Sequence, residues 1–244
     1  MRKTAKIQTV LSSDPDPNLR QEIIFTTKMN IYLFGMMKKS TEMETTRLLM
    51  ALRGQFVASP MVDYSERAFR LLCARLGASL VFTPMLNARL MADEPAYGHR
   101  HFDPHPSETG RLVAQLAGHD PSVLRVAAQR CEPHVCAIDL NLGCPQDIAR
   151  RGRYGAFLLE EERELAIQCV AELTRVLEVP VTAKLRLLPT EAETLDVVLR
   201  LQDAGASAIH VHGRTRRMTT KLDGVGQADW GAIRKLVTLL EVRG

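Results

Sequence analysis

No stretch of these 244 residues reaches the roughly 18 uncharged apolar positions that a membrane-spanning helix needs; the longest apolar runs are strand-sized. A transmembrane protein is therefore excluded. There is no Cys-x-x-Cys pair, the cysteine count is odd (Cys73, Cys131, Cys136, Cys144, Cys169), and the start lacks a secretory pattern. A disulfide scaffold is not expected, and a reduced, intracellular setting fits best, cytoplasmic or else nuclear or organellar. Nor is there a strong excess of one charge: 32 Lys and Arg stand against 28 Asp and Glu, a net charge of +4 that by itself indicates no polyanionic partner. What remains, 45% apolar and 25% charged residues, is an ordinary globular composition with material for one main domain.

Residues 1–45 mix charges, include Pro15 and Pro17, and hold no sustained period. They read as an N-terminal extension, expected to be poorly ordered; Arg2, Lys3 and Lys6 ahead of Asp14 are too few to mark a targeting segment. From residue 55 onward, short apolar runs alternate with helical patterns, so residues 50–244 read as one domain. Strands are expected at "FVASPM" (56–61), "SLVFTPM" (79–85), "RLVAQLAG" (111–118), "AIDLNLG" (137–143), "VTAKLRLL" (181–188) and "SAIHVHG" (207–213). Helices follow them. One is capped by Ser65 and ended by Gly77; another begins at Asp120 and Pro121; a third stops before Pro180. A fourth opens with a Thr190/Glu193 capping box, and "DWGAIRKLVTLLEVRG" is the last.

Six β/α units imply an α/β fold with a mostly parallel sheet, either open and doubly wound or most of a (β/α)8 TIM barrel. Polar residues decide between the two. Asp63, Asn87, Gln115, Asn141, Lys184, Arg186, His212 and Arg214 lie at or just past the C-terminal ends of many strands, as a barrel mouth requires.

Lys184 sits within an apolar strand, where an ammonium needs an anion or a cofactor's polar edge, unless it snorkels from a strand end. His210 and His212 share a strand face and could ligate a metal, but no third ligand stands at an obvious position, and His99, His101 and His105 look like a polar loop. Cys144 follows Gly143 at a strand end, with Pro145 preventing continuation. A cysteine there is an inert hydrophobe, a nucleophile if a base stands beside it, or a proton donor, which needs no base.

Three segments together, "SPMVDYSERAFRLL", "DLNLGCPQDIARRGRYGAFLLEE" and "HVHGRTRRMTTKLDGVGQADWGAIRKL", resemble the flavin-dependent tRNA-dihydrouridine synthases, in particular the eukaryotic branch acting on D-loop positions 16 and 17. The likeness spans residues 50–240. It implies a TIM barrel of the FMN-linked oxidoreductase type that reduces uracil in tRNA with NADPH or NADH, and in which Cys144 protonates uracil C5 while hydride reaches C6. It further implies that Pro60, Met61 and Val62 lie against the flavin ring, that Gln115 and Lys184 bond its polar edge, and that His212 completes its floor. Asn141 would position the uracil. Ser59 departs from the usual alanine.

By the same resemblance Arg150, Arg151 and Arg153, with Arg186, Arg214, Arg216, Arg217 and Lys221, would hold phosphates around a flipped-out uridine, or else form solvated loops. Tyr154 would stack on RNA or pack the loop. Family members continue with two further strands that bind the FMN phosphate and with a helical tRNA-binding domain; neither is in this sequence, which reads as an incomplete barrel of about six units. A monomer with no protein partner and no metal is expected. Two alternatives remain: an RNA-binding remnant without flavin, and a metal-dependent barrel hydrolase using His210 and His212.

Overall fold

The computed structural model describes residues 7–9, 22–27, 39–52, 56–219 and 226–243. Its strands are β1 (Ile7–Thr9), β2 (Glu22–Thr27), β3 (Phe56–Ala58), β4 (Ala78–Phe82), β5 (Leu86–Asn87), β6 (Leu112–Ala117), β7 (Ala137–Leu142), β8 (Val181–Leu187) and β9 (Ala208–Thr215). Its helices are α1 (Lys39–Leu52), α2 (Arg67–Arg75), α3 (Ala88–Asp93), α4 (Pro95–His101), α5 (Pro121–Cys131), α6 (Asp147–Arg151), α7 (Gly155–Glu161), α8 (Arg163–Val176), α9 (Glu191–Asp203) and α10 (Trp230–Arg243).

The six expected strands form one parallel arc in the order β3-β4-β6-β7-β8-β9, with the short β5 also on β6. This is six units' worth of a TIM barrel, open among the described residues between β3 and β9. Several boundaries are tighter than the apolar runs suggest. β3 stops at Ala58, ahead of Pro60, and β4 at Phe82, ahead of Pro84, because proline has no amide hydrogen for the ladder.

Two departures concern the N-terminal part. Within the stretch read as a featureless extension, β2 pairs antiparallel with β9, and β1 with β2. A sheet edge offers unpaired N–H and C=O groups to any backbone, so pairing there needs no alternation in the added strand. Helix α1 also begins inside that stretch. Its Leu48 and Leu52 pack with Leu80, Phe82, Val113, Ala137 and Ala208, sealing the N-terminal end of the arc.

The main core lies between strands and helices. Leu140, Leu142, Ala183, Leu185, Ile209 and Val211 face outward against Leu124, Cys169, Val170, Leu173, Val197, Leu201 and Ile233. Each fully buried large aliphatic side chain here contributes about 1.5–3 kcal/mol. Helix starts follow the sequence signals: Asp120 accepts from the Ser122 and Val123 amides, and Thr190 and Glu193 form a reciprocal capping box. Ser65 differs. Glu66 occupies the cap position of α2, and the Ser65 hydroxyl is turned to the backbone of Met61 instead.

Candidate active site

With one strand face committed to the outer core, alternate residues must point into the arc. β7 presents Asp139 and Asn141; β8 presents Thr182, Lys184 and Arg186; β9 presents His210 and His212. Register places Asn141 beside Lys184 and Lys184 beside His210, then Arg186 beside His212. Polar side chains thus run from Asp139 and Thr182 to the C-terminal ends of these strands, while Leu80, Phe82, Val113, Ala137 and Ala208 pack at the N-terminal end.

The turn after β7 is held by a side chain. Asn141 Oδ1 accepts from the Gly143 amide at 3.1 Å and the Cys144 amide at 3.0 Å, while its Nδ2 donates to Gln115 Oε1 at 2.9 Å. Gln115 Nε2 in turn donates to Asp139 Oδ2 at 2.8 Å, and the Thr182 hydroxyl to Asp139 Oδ1 at 2.5 Å. Gln115 is therefore engaged at both ends of its amide and is only 1% exposed. Arg186 completes the frame, donating from Nε to the Gly143 carbonyl and from Nη1 to that of Thr215.

Cys144 lies half-buried beside Ala117, Ala149, Tyr154 and Phe157. Desolvation pushes its thiol above the ordinary value, and the smaller opposing effects of a backbone hydrogen bond from Gln146 and of the Arg186 charge do not cancel that. A thiol so shifted stays protonated at neutral pH, which suits an acid and not a thiolate nucleophile. Tyr154 is buried in the same cluster, so of its two expected roles it takes the packing one.

Pro60, Met61 and Val62 follow β3 on the same C-terminal side, with Met61 38% and Val62 53% exposed. The loop is fixed from behind. The Ser65 hydroxyl donates to the Met61 carbonyl and accepts from its amide, and Arg70 donates to the Ser65 carbonyl. Arg70 and Glu108, each 1% exposed, form a two-pronged ion pair with Nε–Oε1 at 2.6 Å and Nη2–Oε2 at 3.1 Å. Among the described residues, no group of three His, Cys, Asp or Glu could hold a metal ion, and no helix is long and apolar enough to cross a membrane.

Residues 56–242, from β3 into α10, match the profile of the dihydrouridine synthase family. The chain belongs to that family. It is 39% identical over 185 residues to a tRNA-dihydrouridine(16/17) synthase of Schizosaccharomyces pombe, an alignment covering 75% of this chain and 46% of the relative. The Saccharomyces cerevisiae protein of the same name is 42% identical over 182 residues, covering 74% and 42%. Escherichia coli tRNA-dihydrouridine synthase B is 30% identical over 186 residues, covering 75% and 56%. The chain thus spans less than half the length of its yeast relatives.

For a dihydrouridine synthase family member, the arginines after the cysteine are placed in an informative way. Three consecutive glutamates, Glu160 and Glu161 at the end of α7 and Glu162 just past it, pair with two of them, Arg150 and Arg153, and with Arg216 after β9. Glu160 pairs with Arg216 at 2.7 Å, Glu161 with Arg150 at 3.8 Å, and Glu162 takes both prongs of Arg153. The Arg216 guanidinium also lies 4.5 Å from the centroid of the Phe157 ring, which packs with Cys144. Arg151 is exposed on α6, Arg214 is half-buried near the end of β9, and Lys221 lies outside the described residues.

Sequence reading missed Asp139, Thr182, Arg70 and the glutamate run. Asp139 could have been found: it stands two residues before Asn141, on the same face of an otherwise apolar strand. The Arg70–Glu108 pair joins residues 38 apart and left no local signal.

Proposed function

We propose that this chain carries the uridine-reducing centre of a tRNA-dihydrouridine synthase, forming 5,6-dihydrouridine in the tRNA D loop at positions 16 and 17, with FMN as cofactor and NADPH or NADH as reductant. The observation that carries this reading is the Asn141–Cys144 turn, which holds a protonated thiol at the C-terminal end of β7. The donor set around it suits a flavin ring. Lys184 would offer its side-chain nitrogen to the ring's carbonyl-bearing edge, His212, in register with Arg186, would form the floor, and the backbone of Pro60, Met61 and Val62 after β3 would flank one side.

When bound and reduced, the flavin supplies the hydride taken by uracil C6. Cys144 delivers the proton from Sγ to C5, so that two hydrogens are added across the C5–C6 bond. Asn141 holds the turn from which Cys144 acts and Gln115 braces Asn141 from behind, so Gln115 serves the site through Asn141. Arg151, Arg214 and the three glutamate-paired arginines hold phosphates of the tRNA, the uridine being turned out of its stack to reach the thiol.

Dihydrouridine mapping in tRNA from cells lacking the gene tests the reading. Loss at positions 16 and 17 is expected, and an unchanged map would overturn it. A Cys144→Ala protein that restores the modification as well as the wild type would remove the acid role alone.

A further inference from the structure

The hydrogen bonds behind Cys144 all run one way. The Cys144 and Gly143 amides donate to Asn141, Asn141 to Gln115, and Gln115 to Asp139, which also receives the Thr182 hydroxyl. Every link ends at a carboxylate that is 0% exposed and has no donor of its own to offer when ionised. We propose that Asp139 is a positioning residue for the Cys144 turn, acting through Gln115 and Asn141 as the terminal acceptor of this chain. What the positioned thiol does rests on the function proposed above; the positioning itself does not.

Asn141 can accept from both turn amides only while its Nδ2 has an acceptor, and that acceptor, Gln115 Oε1, faces Asn141 only while Gln115 Nε2 is received elsewhere. Asp139 receives it. Each amide that donates toward a negative charge is polarised by doing so, and its own carbonyl becomes a better acceptor. As final acceptor, Asp139 therefore supports, through Gln115 and Asn141, the bonds that fix the Gly143 and Cys144 amides. Gln115, Asp139 and Thr182 are each at most 1% exposed, so removal of the acceptor leaves the Gln115 amino group and the Thr182 hydroxyl without this partner in the interior.

Variants that keep the number and branching of side-chain heavy atoms should therefore fall in a definite order. Asp139→Leu removes the acceptor. Asp139→Asn keeps an acceptor, by presenting its amide oxygen to Gln115, but removes the charge. The exchange Gln115→Glu with Asp139→Asn moves the carboxylate one link nearer to Asn141, whose Nδ2 then donates to it directly. In that double variant the new amide at position 139 donates to the carboxylate at position 115 and accepts from Thr182.

Amide hydrogen exchange at Gly143 and Cys144, measured on the whole chain alongside its melting curve, reads the effect without depending on turnover. Exchange should rise by roughly two- to threefold in Asp139→Asn. In Asp139→Leu it should rise by roughly tenfold or more, as expected for a lost hydrogen bond. The double variant should exchange at the wild-type rate or slower. A residue that merely fills space would leave Asp139→Asn like the wild type and give the double variant no advantage. Unchanged exchange in Asp139→Leu, or a double variant no slower than Asp139→Asn, overturns the proposal; if Asp139→Leu does not fold, the other two variants decide it. Failure of the functional reading would show separately, in the dihydrouridine map.

Discussion

A Cβ built on Gly155 would stand 2.7 Å from the Cys144 carbonyl oxygen and 2.9 Å from the Cys144 Cβ. Gly155 also has φ +68°, in the left-handed region, and its neighbour Ala156 donates to the Cys144 carbonyl at 3.0 Å. The cysteine turn is thus pressed from below by the start of α7 as well as tied from behind by Asn141. Gly155→Ala should cost about 2–4 kcal/mol, combining left-handed strain with overpacking. Urea denaturation measures it; a cost below about 1 kcal/mol would mean that the turn moves freely.

The glutamate run at the end of α7 makes the neighbouring arginines partly occupied. Under the proposed function RNA phosphate would compete with carboxylate for Arg153 and Arg216, so Glu162→Gln or Glu160→Gln should tighten binding of a D-loop RNA by roughly two- to fivefold, the scale of a surface ion pair. Fluorescence anisotropy at fixed salt tests this. Unchanged or weaker binding would show that the glutamates order the arginines for RNA and do not compete with it.

Cys131 and Cys169, both fully buried, have thiols pushed by desolvation from 9.0 to about 12. The unfolded chain loses these protons near pH 9 while the folded chain keeps them, so above that pH the unfolded state binds fewer protons and stability must fall. The decline should begin near pH 9 and continue toward pH 12, at up to about 1.4 kcal/mol per pH unit for each thiol. Urea midpoints at about pH 7, 9 and 10 will show it, and Cys131→Ala with Cys169→Ala should reduce the slope, the share of Cys136, likewise pushed by burial to about 12, remaining.

Arg70 is a cation with almost no contact with water, and its removal strands Glu108. Arg70→Ala should cost about 3–5 kcal/mol, whereas replacing both partners, as Arg70→Met with Glu108→Leu, should recover most of it. Thermal unfolding of the three proteins checks both statements. Equal losses in the single and double variants would contradict the ion-pair account.

The parallel arc was legible because β7 and β8 are buried on their outward face and announce themselves as apolar runs, and because Asp120 and Thr190 cap helices through bonds spanning two or three residues. The Asn141–Cys144 turn was legible only in part: Cys144 was expected at the end of its strand, but Asn141 was expected to position the uracil, and its bonds to the Gly143 and Cys144 amides appear only in the folded chain. Ser65 misled, since a serine before a helix serves equally well a backbone four residues upstream. The match of Glu160, Glu161 and Glu162 to Arg216, Arg150 and Arg153 spans 9 to 56 positions, and only the folded chain brings those charges together.

Strand β9 has two edges, and both are taken. β8 lies on one and β2 on the other, in a register that runs from Glu22 opposite His212 to Thr26 opposite Ala208. Each backbone group on that outer edge can serve a single neighbour. Any further parallel strand, from whatever source, can join the arc at β9 only by evicting β2, so the segment around residues 22–27 acts as a plug seated in the gap where a barrel would close.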